Sequence, residues 1–455
     1  TTEAGENWGS QGLGNYFTAR AAWDLKDAAG ADAMLDEFIA KCFPEAQETM
    51  RDFYRQNLHP KRSALLSSDL IGRMYRQLHA AREATTDPAA RRRIEALIVY
   101  TRYSELLLAY SNARASEAPD DQQHAAMEAL VKFAYRTRST RMVSSLAIYR
   151  DASNPRRNKA LQTIPGTDWK IPEGKNPWKN SEPLTGSEID AFVSEGIAHH
   201  PLLEFEPVSF SRNLVPATPL AAASGSRPPK DFQVHIRGNN QLLTWSDDPA
   251  QPIRFSGAGG SIYTNLGDVT VSLLRLDPEA GEGAGEEGDD ELPVFTKPDA
   301  QTSLPPDKEM REILLQPAAT GVYVIQTQDA SGGFQIRDFP AARFLTVESS
   351  ISRTLNLIGR TDFVFYVPKG TKIVGALVRG RGQILDDQGQ VVSELTGESR
   401  YVSIPVPAGR DGSFWRYLGM VGGRLQLLTV PPYLAPSPAQ MLLPREVVEA
   451  DRAGG

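Results

Sequence analysis

The chain has one cysteine among its 455 residues, and this scarcity excludes several kinds of site. With Cys42 alone, no disulfide can form within the chain and no cluster of thiolates can bind a metal ion. Cys42 follows Leu35, Phe38 and Ile39 at helical spacing, so we predict that it is a small core residue and not a nucleophile.

Long apolar runs and an excess of positive charge are also missing. No stretch of 18 apolar residues occurs, so the sequence predicts no membrane span. A net charge of −7 argues against a nucleic-acid partner, which would require a basic face. The local basic clusters at 91–93 and 136–141 fall in helical stretches, where we predict ordinary solvated faces.

The first third of the sequence has the apolar periodicity of helices. Apolar residues recur three and four positions apart in several windows between residues 12 and 150. Asp87-Pro88 places a capping oxygen and a proline where a long helix would begin. We therefore predict an antiparallel bundle of five or six helices over residues 12–150.

Residues 151–230 are rich in proline and glycine, and they predict an extended strap. Trp169 and Trp178 would anchor this strap to other parts of the protein. One helix is predicted within it, because Thr185 and Glu188 have the spacing of a capping box.

From residue 231 onward the period of the apolar residues changes from 3.6 to 2, as in β-strands. Short strands separated by turn residues are typical of antiparallel sandwiches, and the length favours two of them, at 231–340 and 341–436. The acidic run 279–291 predicts a disordered loop tip, and its spacing does not fit a calcium site. Residues 437–455 are predicted to form a docked tail or a short helix.

The opening segment is polar and rich in glycine, and it carries two carboxylates and a tryptophan. Glu3, Glu6 and Trp8 lie directly before the first predicted helix. Such a run suits the mouth of a strand-to-helix loop, where α/β barrels hold their chemistry. Seven preceding strand-helix pairs are missing from this sequence. We therefore interpret residues 1–11 as the last loop of a (β/α)8 barrel, most of which would lie outside this chain.

Several segments together resemble one bacterial family, domain of unknown function 4838. They are residues 6–17, 22–24 and 35–38 in the helical part, and residues 365–372, 406–412 and 443–447 in the β part. The resemblance implies a glycoside-hydrolase-like parent in which a catalytic barrel precedes a helical domain and C-terminal sandwiches, as in α-glucuronidases and hexosaminidases. Such a parent is expected to act on a bacterial, algal or plant polysaccharide, in the periplasm or outside the cell.

Glycoside hydrolysis usually needs two carboxylates at a set separation, and a barrel supplies them from several strand ends. We therefore expect no catalytic residue and no cofactor in this chain, and no glycosidase activity from it alone. Glu3, Glu6 and Asn7 are candidates for contact with sugar hydroxyls, and Trp8 offers a flat ring face to a pyranose. The alternative is that the carboxylates are solvated and that Trp8 packs under the rim of the barrel.

A second hypothesis is a stand-alone carbohydrate-binding or structural protein without enzymatic activity. Trp415 and Tyr417 share one strand face at period 2 and are candidates for a stacking platform; Trp245 and Tyr263 are further aromatic candidates. The alternative is that these rings fill a core or an interface. A bracing role for the helices and sandwiches is compatible with either hypothesis.

Other catalytic patterns are weak. His199 and His200 are adjacent and would point to different helix faces, so we predict no shared metal ion. No glycine-rich phosphate loop follows a strand. The sequence does not exclude a catalytic serine triad, although it has no Gly-x-Ser-x-Gly motif.

Overall fold

The computed structural model describes residues 7–24, 30–57, 66–154, 164–203, 205–223, 232–276, 297–330, 332–350, 357–358, 361–419 and 424–453. The chain divides into two compact units, residues 1–203 and 204–455. The first unit is helical and the second consists mainly of antiparallel strands, so the fold is a mixed α and β fold, as the periodicity predicts. The acidic run 279–291 lies outside the described residues.

The described part of the first unit contains eight α-helices. They are α1 (Gly12–Trp23), α2 (Ala31–Cys42), α3 (Gln47–Asn57), α4 (Ser68–Glu83), α5 (Pro88–Ala115), α6 (Asp120–Arg136), α7 (Ser145–Ala152) and α8 (Gly186–His199). Each of the first six contacts the next one along the chain, and α8 packs on α4 and α5. Seven helices therefore occupy the range in which five or six are predicted. The count is higher because α1 has little apolar periodicity and buries only Leu13, while α7 has only eight residues, which is a short window for a sequence signal.

Two helix starts that were predicted from capping residues are confirmed. The Asp87 carboxylate accepts the Ala90 N–H at 2.8 Å, and Pro88 begins α5. Thr185 and Glu188 form the reciprocal bonds of a capping box at the start of α8. A cap joins groups three residues apart, so the local sequence suffices to specify it.

The main core of this unit is built from α2 to α5 and α8, with Ile39, Phe53 and Ile98 fully buried. Cys42 is half-buried against this cluster, as a small core-lining residue. Burial raises the pKa of the Cys42 thiol, which keeps it in the unreactive protonated form.

Trp169 and Trp178 hold the proline-rich segment against helices of the first unit, whereas a strap across other domains stays a prediction. Trp178 is buried in a smaller cluster with Tyr110 and Met127, and the ring of Trp169 stacks on Tyr149 with 4.7 Å between centroids. The described part of the range 151–230 is divided between the two units, with 164–203 in the first and 205–223 in the second.

The second unit contains eighteen strands and two helices in its described part. The strands are β1 (Leu214–Pro216), β2 (Phe232–Ile236), β3 (Asn240–Ser246), β4 (Ile253–Gly259), β5 (Val269–Arg275), β6 (Ala300–Leu304), β7 (Arg311–Leu315), β8 (Gly321–Gln328), β9 (Phe334–Phe339), β10 (Val347–Glu348), β11 (Leu357–Ile358), β12 (Thr361–Val367), β13 (Ile373–Leu385), β14 (Val391–Pro405), β15 (Ser413–Gly419), β16 (Arg424–Leu427), β17 (Tyr433–Leu434) and β18 (Leu442–Pro444). The helices are α9 (Thr218–Ala223) and α10 (Arg445–Ala453).

The strands form three larger sheets and two ribbons, and all strand pairs are antiparallel. The sheet orders are β11-β2-β9-β4-β7, β3-β8-β5-β6 and β12-β15-β13-β14, with β16 paired to β13; the ribbons are β1-β18 and β10-β17. One apolar cluster includes residues from all three sheets, among them Phe255, Val271 and Val378. The antiparallel strands are thus confirmed, whereas a boundary between two sandwiches at residue 340 stays a prediction.

The C-terminal segment ends in a docked helix. Asp451 of α10 is buried and accepts hydrogen bonds from the Tyr366 hydroxyl at 2.7 Å and the Lys369 N–H at 2.9 Å. Val447 and Val448 bury their side chains on the same helix. In the part of the chain that the structure describes, no helix combines the length and apolarity needed to cross a bilayer.

Candidate functional site

The turn before α1 holds Trp8 in a defined position. The Gly9 N–H donates a hydrogen bond to the Arg141 carbonyl at 2.8 Å, and the Ser10 hydroxyl donates to the Asn7 carbonyl at 3.2 Å. Arg141 adopts a left-handed conformation with φ of 59° at the end of a short turn after α6. The turn is thereby tied to a distant part of the helical unit.

Gly9 is required for this close approach. A β-carbon at Gly9 would lie 2.4 Å from the Met142 sulfur and 3.2 Å from the Arg141 carbonyl oxygen. The neighbouring indole of Trp8 nevertheless stays 57% exposed. An exposed aromatic ring on an anchored backbone can stack on the apolar face of a sugar, or pack against the surface of another protein.

The other predicted residues of the opening segment have different outcomes. Asn7 lies in the same turn and is half-buried, and its carbonyl contributes to the turn. Glu3 and Glu6 lie outside the described residues, so their predicted contacts with sugar hydroxyls stay predictions.

Trp415 and Tyr417 do not form a surface platform, and this part of the site prediction is wrong. They share one face of β15, as the period of 2 requires, but that face points into the core. Trp415 is fully buried, packs against Phe365 and donates its indole N–H to the Arg410 carbonyl at 3.0 Å. Tyr417 is 2% exposed. Alternation places the two rings on one face but does not say which face is solvated, and their large apolar area favours the core.

The two further aromatic candidates differ from each other. Trp245 is half-buried against an apolar cluster, whereas Tyr263 is 49% exposed with the Arg237 guanidinium 5.6 Å from its ring centroid. The Tyr263 ring is therefore half-exposed beside a cation.

The helical unit contains a polar cluster that the sequence does not predict, built from Ser68, Glu105 and His200. The Ser68 hydroxyl lies 2.8 Å from Nδ1 of His200, and Nε2 of His200 lies 3.1 Å from a Glu105 oxygen. The side chains of Glu105 and His200 are each only 13% exposed. A hydroxyl, an imidazole and a carboxylate are thus joined in one hydrogen-bonded chain, which we call the Ser68–His200–Glu105 cluster.

Glu105 is held as an anion. The Tyr75 hydroxyl donates to its second oxygen at 2.7 Å, and Arg102 donates to the same oxygen at 2.8 Å. Burial by itself would raise the pKa of Glu105, but the hydrogen bonds from His200, Tyr75 and Arg102 outweigh it and lower the pKa to about 2. An ionised Glu105 can accept a hydrogen bond from the Nε2–H of His200, and in that tautomer Nδ1 can accept one from the Ser68 hydroxyl.

Two glycines allow α4 and α8 to approach closely enough to form the cluster. A β-carbon at Gly72 would lie 2.2 Å from the His200 carbonyl oxygen, and one at Gly196 would lie 2.2 Å from the Tyr75 ring. Arg76 secures the end of α8 by donating to the carbonyls of His200 and Ile197 at 2.9 and 3.1 Å. The end of α8 is therefore fixed against α4, and the imidazole of His200 with it.

Sequence patterns do not reveal this cluster because Ser68 and His200 are 132 residues apart. The adjacent histidines lie on different faces, as the sequence predicts: His199 is exposed, whereas His200 is half-buried and contacts Ser68 and Glu105. In the described residues, no group of three or more His, Cys, Asp or Glu side chains is placed to bind a metal ion.

Comparisons with known proteins add no family. No family model matches the chain, and no curated protein matches it. Among solved structures, the insecticidal delta-endotoxin Cry8Ea1 from Bacillus thuringiensis aligns with 96% of this chain and 90% of its own, at 8% identity and a TM-score of 0.16. A TM-score this low does not show a shared fold, so this likeness carries no argument.

Proposed function

We propose that this chain is the non-catalytic C-terminal half of a glycosidase-like, carbohydrate-active protein related to the family domain of unknown function 4838. In this proposal it braces the catalytic barrel and contacts glycan through Trp8. The observation that carries the glycan contact is the exposed indole of Trp8 on a turn anchored to Arg141. The parent protein would act in the periplasm or outside the cell, where polysaccharides are met.

The anchoring of the turn favours Trp8 over other exposed rings of the helical unit. Trp23 at the end of α1 is 93% exposed, so it has almost no contacts that would hold its ring. Trp8 is partly covered, and the backbone beside it is already ordered. Ordering a segment on binding costs free energy, and a backbone that is already anchored avoids part of that cost.

The carboxyl groups of the described residues support a role without glycosidase chemistry. A glycosidase acid needs a raised pKa so that it carries a proton near neutral pH. In the described part of the chain, hydrogen bonds and ion pairs instead lower the pKa of several carboxyls, namely Glu37, Glu45, Glu105, Glu173, Glu188 and Asp307. Arg136 lowers the pKa of Glu188 to about 2, and Arg311 does the same for Asp307. These carboxylates serve ion pairs and caps.

The proposal includes the two β-sandwiches over 231–340 and 341–436. It is supported by three antiparallel sheets whose inward faces are apolar, as on β5 and β13. Packed apolar sheets would give rigid supports for a neighbouring barrel.

Glycan contact is tested by affinity chromatography on insoluble xylan, alginate and starch. The unchanged chain should be retained on at least one of these, and Trp8→Ala should elute with the unbound protein. Trp23→Ala is the matched control, because it removes an exposed tryptophan at the far end of α1, the helix that follows the Trp8 turn, and should keep retention. Equal retention of Trp8→Ala and the unchanged chain would contradict a glycan contact at Trp8.

The parent protein is tested by the intact mass of the native gene product in extracts of its source cells. A barrel of about 200–250 residues would add about 25 kDa to the 49.9 kDa of this chain. A product at 49.9 kDa would contradict the barrel. The chain would then be a stand-alone carbohydrate-binding or structural protein, which is the alternative hypothesis.

A further inference from the structure

The Ser68–His200–Glu105 cluster has the connectivity of a nucleophile, its base and the group that orients the base. Nucleophilic serine sites are recognised by a hydroxyl within hydrogen-bond reach of a base that a third group holds in place. The distances of 2.8 Å and 3.1 Å meet that requirement. The two imidazole nitrogens have exchanged the roles they play in the familiar serine triad, since Nδ1 faces the hydroxyl here.

We propose that Ser68 is the nucleophile of an ester-hydrolysing site in which His200 is the general base and Glu105 positions His200. The substrate class is a carboxylic ester. This activity is independent of the proposed glycan contact at Trp8. It does not cleave glycosidic bonds, so the chain remains non-catalytic with respect to glycosidase chemistry alone.

The local charges suit an acyl transfer. Ser68 is the first residue of α4 and is half-buried, so its hydroxyl lies at the positive end of a 16-residue helix. That end of a helix stabilises an oxyanion formed nearby. Asp69 is the nearest carboxylate in the sequence, and its charge is engaged by Arg73 at 2.6 Å and by the Leu203 N–H at 2.9 Å.

The reaction balances with water as the only co-reactant. The Ser68 oxygen bonds to the ester carbonyl carbon while Nδ1 of His200 takes the hydroxyl proton. The bond from the carbonyl carbon to the alkoxy oxygen then breaks, and the imidazolium returns the proton to the leaving alcohol. Water attacks the acyl-serine, His200 takes one proton from it and passes it to Ser68, and the carboxylic acid leaves. Glu105 stays ionised throughout and stabilises the imidazolium.

The first test is covalent labelling of the full chain with a fluorophosphonate, followed by intact-mass and peptide mass spectrometry. The expected result is one adduct per chain, on Ser68, which is absent in Ser68→Ala. Ser194→Ala is the matched control, because it removes an exposed serine from α8 and should label fully. The absence of an adduct on Ser68 in the unchanged, folded chain would overturn the proposal.

The second test is hydrolysis of p-nitrophenyl acetate. His200→Gln should lower the rate by about 100-fold or more, which is the usual contribution of a general base. His199→Gln is its matched control, because it changes the exposed neighbour and should keep the rate. Equal rates for the two histidine variants would contradict the role of His200.

Glu105→Gln separates positioning from a merely structural role. It should lower the rate and move the rise of the pH–rate profile to lower pH, because the imidazolium loses the anion that stabilises it. Thermal unfolding of each variant is recorded beside its activity. The proposal would be overturned if the unchanged chain neither labels at Ser68 nor hydrolyses the ester, while the Ser68, His200 and Glu105 variants have lower melting temperatures. The cluster would then have only a structural role.

Discussion

At the scale of single residues, the environment of each hydroxyl decides whether it stabilises the fold. Tyr366 and Tyr417 are both buried aromatic residues of the second unit, on the paired strands β12 and β15. The Tyr366 hydroxyl donates to the buried carboxylate of Asp451 at 2.7 Å. The Tyr417 hydroxyl is buried without a hydrogen-bond partner among the described residues. The phenol hydroxyl therefore stabilises the folded chain at Tyr366, whereas at Tyr417 it adds the cost of a buried polar group.

We predict that Tyr366→Phe lowers the free energy of unfolding by about 1–3 kcal/mol, because it leaves Asp451 short of a donor. Tyr417→Phe should leave that free energy unchanged or raise it by about 1 kcal/mol, because it removes a buried polar group that has no partner. Urea unfolding of the two variants measures both. A loss of more than 1 kcal/mol in Tyr417→Phe would show that its hydroxyl is bonded.

Glu105 predicts how acid affects the helical unit. Its pKa of about 2 lies below the ordinary value of 4.5, so the ionised carboxylate stabilises the folded chain above pH 4.5. That stability is lost as the pH falls from 4.5 towards 2, and the full difference is about 3 kcal/mol. Glu105→Gln should be less stable than the unchanged chain at pH 6, and the difference should shrink as the pH falls through this window.

The measurement is urea unfolding at pH 6, 4 and 3. Glu128→Gln is the control, because it removes a carboxylate from a surface pair with Lys132 on α6, where ion pairs contribute little. A pH-independent difference between Glu105→Gln and the unchanged chain would contradict the anionic state of Glu105.

At the scale of secondary-structure elements, the contact between α4 and α8 depends on glycine. Gly196 lies directly against the ring of Tyr75, which is fully buried and hydrogen-bonded to Glu105. A methyl group there has no room, because the ring cannot move without breaking that bond. The first residue of α8, Gly186, has open space around its α-carbon.

We predict that Gly196→Ala lowers the free energy of unfolding by about 1–3 kcal/mol through overpacking. Gly186→Ala should be neutral or stabilising by up to about 1 kcal/mol, since alanine favours helix over glycine. Comparing the two by thermal unfolding removes the intrinsic preference of alanine from the result. Equal stability of the two variants would indicate that α8 does not pack closely on α4.

At the scale of the whole molecule, the two units have separate apolar cores. The clusters around Ile39 and Trp178 belong to residues 1–203, and those around Phe255 and Tyr433 belong to residues 204–455. Separate cores are expected to unfold as separate cooperative transitions.

We predict two transitions in differential scanning calorimetry. Gly196→Ala should shift only the transition of the helical unit. Trp415→Ala should shift only the other, by the equivalent of about 3–5 kcal/mol for the loss of a buried tryptophan. A single transition that both variants lower together would contradict independent unfolding of the units.

Much of the fold could be predicted from the sequence because its signals are local. The cap at Asp87 and the capping box at Thr185 act over three residues, and the change of period near residue 231 reflects side-chain direction within single strands. Trp178 could be recognised as an anchor because a large apolar ring in a polar segment stabilises most when it is buried.

Other features were decided only by the tertiary structure. The orientation of β15 determines that Trp415 lies in the core, and alternation alone cannot choose between the two faces of a strand. Ser68, Glu105 and His200 meet because Gly72 and Gly196 let two helices approach across more than a hundred residues of sequence. The sequence by itself determined which elements form, since capping and periodicity act within a few residues. Packing decided which side chains meet, because that depends on contacts between distant segments.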